Sequence, residues 1–235
     1  MSRIVSRLRD VRLSEPVTSV VRRTGAGAVV HSASSIEQFD QVVFACHSDQ
    51  ALALLADPGE DERAVLSAVR YQSNRALLHT DTALMPARRR AWAAWNYLSD
   101  GQPGAPSVSV TYWLNRLQPL PSQTPVFVSL NPLTEPDPAT LIREIQYAHP
   151  IFDSAAGRAQ RRLKRLQGRR NTWFAGAWTG YGFHEDGLRS GLEVAEAIEG
   201  LAPLVARDGR RAERVEVVGN EDRGRFPEPD DSGVA

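Results

Sequence analysis

The chain has 235 residues, enough for one large domain or two small ones, and its 28 basic residues balance its 28 acidic ones. A net charge of zero argues against a general nucleic-acid binder, and the lone cysteine, Cys46, excludes an internal disulfide framework and fits a reducing compartment. No stretch approaches the roughly 20 apolar residues of a membrane span, so the expectation is a cytoplasmic protein without a membrane span.

The opening "MSRIVSRLRDVRLSEP" is charged throughout and lacks the apolar region of a secretory leader. "VTSVVRR" and "GAVVHSA" are β-branched runs around Gly25 and Gly27 and predict a hairpin. "FDQVVFA", Phe39 to Ala45, predicts a strand buried on both faces. In "SDQALALLADP", Ser48 or Asp49 is an N-cap candidate and Pro58 a stop. "GEDERAVLSAVRY" predicts a second short helix with acids in its first turn, matching the helix dipole.

The middle changes character. "NRALLHTDTAL", "RRAWAAWNYLS", "PSVSVTYWLNRL", "PVFVSLNP" and "TLIREIQYAHP" predict strands of a second sheet. Trp92, Trp95, Tyr97, Tyr112 and Trp113 either line an aromatic cavity or pack that sheet. His47, His79 and His149 lack metal-ligand spacing, so no metal site is expected. "DSAAGRAQRRLKRLQG" predicts a basic amphipathic helix with Ala155, Ala159, Leu163 and Leu166 on one face and Gly168 as its stop. Its basic side chains are read as a solvated face, so no nucleic-acid partner is expected.

"NTWFAGAWTGYGFHEDGLRSGLEVAEAIEG", residues 171–200, is the most informative stretch. A buried strand, a glycine-rich loop and a helix follow one another, with Leu188, Leu192, Ala195 and Ile198 at helical spacing and Gly200 as the expected stop. First-turn N–H groups carry partial positive charge, and glycines let a ligand approach main chain. Gly176, Gly180, Gly182 and Gly187 therefore suit a phosphate or a flat ring, and Gly191 would allow close helix packing. Glu185 and Asp186 either accept hydrogen bonds from ligand hydroxyls or cap the helix. The bland alternative is a tight strand-to-helix turn. The pattern is neither the G-x-G-x-x-G fingerprint nor a P-loop. Beyond Pro203, "GNEDRGRFPEPDDSGVA" predicts a disordered tail.

This motif resembles the C-terminal flavin-contacting segment of the flavin-containing amine oxidase superfamily, in its bacterial branch of NAD/FAD-binding, FAD-dependent amine oxidoreductases. The resemblance implies that Gly176 and Ala177 lie along the ribityl-phosphate portion of FAD, and that Gly182, His184, Glu185, Asp186, Gly187 and Leu188 line its flavin end. The chain departs from the pattern at Ala177, where many relatives carry an acid. "VRLSEPVTSVVRRTGAGAVVHSASSIEQFDQVVFACHSDQALALL" is similar to the family's segment contacting the ADP half, which implies an adenine contact at Val17 and a wall at Ala45. No catalytic base is implied; His184 is either a tuning group or a plain loop histidine.

The family opens with a βαβ unit of roughly 30 residues carrying G-x-G-x-x-G, and "RTGAGAVV" is the nearest sequence to it here. The chain is thus expected to correspond to the part of the architecture that follows the fingerprint: a truncated product, the partner of a separate N-terminal dinucleotide-binding polypeptide, or a decayed relative. The expected fold class is α/β (α+β mixed), an incomplete FAD-binding domain of the amine oxidase type with an inserted β-rich substrate domain. Residues 1–70 and 151–203 would form the FAD-binding part, 71–150 the substrate domain and 204–235 the tail. The implied activity is hydride transfer from a small-molecule C–H, an amine among the candidates, to flavin; the competing reading is a non-catalytic relative or subunit.

Overall fold

The computed structural model describes residues 6–23, 27–102, 107–205 and 215–218. In chain order the elements are β1 (Val17–Arg22), β2 (Ala28–Ser32), β3 (Ile36–Phe39), β4 (Gln41–Phe44), α1 (Ser48–Leu54), α2 (Glu60–Leu66), β5 (Arg70–His79), β6 (Trp95–Ser99), β7 (Val108–Trp113), α3 (Leu114–Leu117), β8 (Phe127–Leu130), β9 (Leu141–Ile151), α4 (Ser154–Leu163), β10 (Thr172–Phe174), α5 (His184–Val205) and β11 (Val215–Val218). Contacts divide the chain into two units, Met1–Arg70 with Pro150–Ala235, and Tyr71–His149. Among the described residues no helix is long and apolar enough to cross a membrane.

In the first unit β1, β2 and β3 form an antiparallel sheet in that order, with β1 and β2 as the expected hairpin. β3 was not expected. Glu37 and Gln38 mask its strand pattern, and Asp40 separates it from β4, so Phe39 to Ala45 is not a single strand. β4 is the centre of a parallel sheet, β10-β4-β11, and all its residues are buried. That is the burial a strand has when both faces are covered. Side chains alternate across it: Val43 and Trp173 join Ala175 and Val194 in one cluster, whereas the Phe44 and Phe174 rings stack 5.6 Å apart.

β11 corrects the expected tail. Residues 215–218 pair in parallel with β4, from Val215 opposite Gln41 to Val218 opposite Phe44; the rest of that tail beyond Val205 lies outside the described residues. The helices bring further corrections. His47, with φ −60 and ψ 151, is the N-cap of α1 in place of Ser48 or Asp49, and its N–H donates to Gln50 Oε1 at 3.1 Å. On α4 the buried residues are Ala156, Ala159 and Leu163, with Leu166 just beyond; Ala155 is only half-buried. α5 runs through Gly200 to Val205. Its buried positions are Asp186, Ser190 and Val194, with Ile198 packed beside them, while Leu188 and Leu192 are 59% and 55% exposed.

α2 starts with three acids, as expected, and one of them works twice. Glu62 accepts the Gly59 N–H at 2.7 Å and forms a buried ion pair with Arg22 of β1, whose second carboxylate partner is Asp57 at 3.0 Å. Burial opposes both charges, but the hydrogen bonds and mutual attraction prevail: the Glu62 carboxyl stays below its ordinary range and the Arg22 guanidinium above its own.

The second unit is built on the sheet β6-β7-β8-β5-β9. The expected strand "RRAWAAWNYLS" splits into a 3-10 turn at Arg89–Ala91 and β6. The register sets Trp95 opposite Tyr112 and Tyr97 opposite Val110, which in turn faces Leu130, so these side chains share one face of the sheet. Thr111, Trp113, Phe127 and Ser129 occupy the other face, where Trp92 meets Trp113 and Phe127 edge-on. The five aromatics considered for one cavity are therefore split between two faces.

Candidate functional site

β4 and β10 are parallel neighbours, so the chain leaves both at the same edge of the sheet. Past β4 it passes Ala45 and Cys46 and enters α1; past β10 it passes Ala175 and Gly176, loops, and enters α5. Two helices thus start from the carboxyl ends of parallel strands, which is where open α/β sheets bind ligands.

Several bonds fix the loop. Ala175 N–H donates to Phe44 O at 2.9 Å, the Trp178 indole to Cys46 O at 3.1 Å, and Gly176 N–H to Ser190 Oγ at 2.9 Å. From α4, the Gln160 amide donates to Trp178 O at 3.0 Å and to Gly180 O at 2.6 Å. One oxygen of Asp186 accepts the N–H groups of Tyr181 and Phe183, each at 3.0 Å, and the residue is 7% exposed. Of the two roles open to Asp186, the geometry shows the cap. Trp178, Ser190 and Gln160 were missed from sequence. Ser190 carries a signal, lying one helical turn beyond Asp186; Gln160, set among arginines and alanines, carries none.

Three of the loop glycines make room for the protein's own groups, Gly176 for the Trp178 ring, 2.9 Å from where its Cβ would lie. A Cβ on Gly180 would lie 2.5 Å from Asp186 Oδ1, and one on Gly182, where φ is 89, would lie 2.9 Å from the Phe152 ring. Gly187 sits against Ala177, whose N would be 3.6 Å from an added Cβ. A Cβ on Gly191 would meet nothing within 4 Å among the described residues, so the expected close packing is not found there.

The fold brings Gly176, Ala177, Gly182, Asp186 and Gly187 together in this loop and helix start, while His184, Glu185 and Leu188 are exposed on the first turns of α5. Ala45 is exposed next to Cys46. Val17 stands on the other sheet, half-buried opposite Ser32; β1 joins the end of α1 through Ala56 N–H to Val20 O at 3.0 Å. Glu185 and Asp186 offset the positive end of α5, so that end fits an uncharged polar or ring portion of a ligand better than a phosphate.

Two nucleophile candidates do not qualify. Burial pushes the Cys46 thiol up to about 11, which leaves little thiolate at neutral pH. In the second unit His79 Nε2 lies 2.9 Å from Ser129 Oγ, but His79 Nδ1 accepts the Asp81 N–H at 3.1 Å. The ring proton is therefore on Nε2, and His79 donates to Ser129 rather than acting as its base. Burial also pulls the His79 pKa below its ordinary value.

No protein-family model and no curated protein sequence matches the chain. Solved structures of similar fold include the CLA-producing fatty acid isomerase from P. acnes, 17% identical with a TM-score of 0.57, covering 83% of this chain and 50% of that one. A protein described as a protoporphyrinogen oxidase, from Exiguobacterium sp. 255-15, is 15% identical with a TM-score of 0.58, covering 84% of this chain and 49% of that one. This chain spans about half the length of these structures. The likeness is one of fold alone: mixed helix and sheet with open sheets.

Proposed function

We propose that the chain is part of an FAD-dependent oxidoreductase of the amine oxidase type. The observation that carries this reading is the shared edge of β4 and β10, from which α1 and α5 both start. Residues 1–70 and 151–203 would provide the FAD-binding part and 71–150 the substrate domain. Gly176 and Ala177 would run along the ribityl-phosphate portion, and Gly182, His184, Glu185, Asp186, Gly187 and Leu188 would line the flavin end. Val17 and Ala45 would face the ADP half. A G-x-G-x-x-G unit, in a separate polypeptide or in a longer form of this one, would complete the pyrophosphate contacts.

When bound, FAD supplies the hydride-accepting chemistry. The chain's own contribution is position. Asp186 and Gln160 hold the loop main chain fixed, and Trp178, bonded to Cys46 O, keeps the ends of β4 and β10 together. The substrate would be a small molecule with an oxidisable C–H, amines among the candidates.

A second reading, a non-catalytic relative or subunit, is favoured by one specific observation: the space beside Gly180 and Gly182 is already filled by Asp186 and Phe152. Titrating the purified chain with FAD separates the two. Retained flavin absorption, with quenched flavin fluorescence lost in a Gly187→Trp variant, supports the oxidoreductase. A colourless protein that leaves FAD fluorescence unchanged supports the subunit.

A further inference from the structure

The second unit contains an open cleft of about 400 Å³, a volume typical of small-molecule sites. Its apolar side is made by Val108, Val110, Tyr112 and Leu130, and the Tyr112 ring is braced edge-on by Trp95 at 5.4 Å. Its polar side is made by Gln72, Asn74, Asn131 and His149. None of these eight lining residues is Asp, Glu, Lys or Arg.

The orientation of most of the polar side follows from a single backbone group. Arg75 N–H donates to Asn131 Oδ1 at 2.9 Å, which identifies that atom as the oxygen. Asn131 is held at a left-handed φ of 46 just past β8, and its Nδ2 donates to Asn74 Oδ1 at 2.7 Å. Asn74 Nδ2 then donates to His149 Nδ1 at 2.9 Å. That last bond needs the Nδ1 lone pair, so the imidazole in this arrangement is neutral. The cleft thus joins an apolar, aromatic side to a polar side of amides and one uncharged ring. A charged ligand would give up hydration without meeting a counter-charge, whereas a neutral one can stack its ring and hydrogen-bond its polar end.

We propose that this cleft binds an uncharged, ring-bearing small molecule, its ring against Val110, Leu130 and Tyr112 and a carboxamide-like end against Gln72, Asn74 and Asn131. The inference does not rest on the flavin reading, because every group it uses belongs to the unit Tyr71–His149. It also argues against a cationic amine at this position.

The test is calorimetric titration of the full chain with three probes of one shape and different charge: phenylacetamide, phenylacetate and phenethylammonium. Phenylacetamide is expected to bind at least about tenfold more tightly than either charged probe. In Val110→Phe, which fills the apolar side, that binding is expected to disappear. In Gln72→Glu, at an exposed position that should not affect folding, phenethylammonium is expected to gain about threefold. Equal binding of all three probes, binding of none, or no gain of phenethylammonium in Gln72→Glu would overturn the proposal.

Discussion

Asp186 illustrates how much one side chain can fix. Its carboxylate takes two loop N–H groups, and its bulk occupies the space a Cβ at Gly180 would need. Asp186→Ala is expected to cost about 1–2 kcal/mol of stability by thermal unfolding. The glycines should separate in the same assay. Gly182→Ala forces a side chain into φ 89 against Phe152 and should destabilise by about 1 kcal/mol or more, whereas Gly191→Ala, on an open helix face, should stabilise by about 0.5–1 kcal/mol. Glu62 gives the pH dependence. Its carboxyl is depressed in the fold, since the bonds from Arg22 and Gly59 outweigh burial, so its stabilising contribution is present above the unfolded carboxyl value and lost as pH falls through the folded one. Denaturant titrations of the native chain and Glu62→Gln should therefore differ by about 3 kcal/mol at neutral pH and converge in acid.

At the scale of elements, α5 was legible as a helix but not in its orientation. Its leucines draw the eye to the wrong stripe, because two positions of its buried stripe, Asp186 and Ser190, are polar and buried through bonds to the loop. Leu188→Ala should change stability by less than about 0.5 kcal/mol, whereas Val194→Ala should cost about 2 kcal/mol, both read by chemical denaturation. β4 was easy to find because a strand covered on both faces is solidly apolar. β3 was not, since Glu37 and Gln38 interrupt the apolar pattern between Ile36 and Phe39. The candidate loop was visible from its glycines. What those glycines accommodate was not, because Phe152 and Gln160 lie distant in sequence and meet the loop only once the chain is folded. In the cleft of the second unit Tyr112 was legible as a cavity candidate, but the polar side was not: Asn74, Asn131 and His149 carry no common motif.

For the whole molecule, the division into two units implies that function can be divided too. Flavin retention, if present, belongs with the unit holding β4 and β10, and the neutral-ligand cleft with the unit Tyr71–His149. Residues 215–218 bear on the first of these. Removing residues 206–235 should leave the hydrogen-bonding groups on one flank of β4 without their partner, and size-exclusion chromatography should show self-association. The topology also sets a timetable. A ribosome finishes β4 long before it reaches Val215, so the nascent polypeptide carries a half-sealed ribbon until residues 215–218 have emerged.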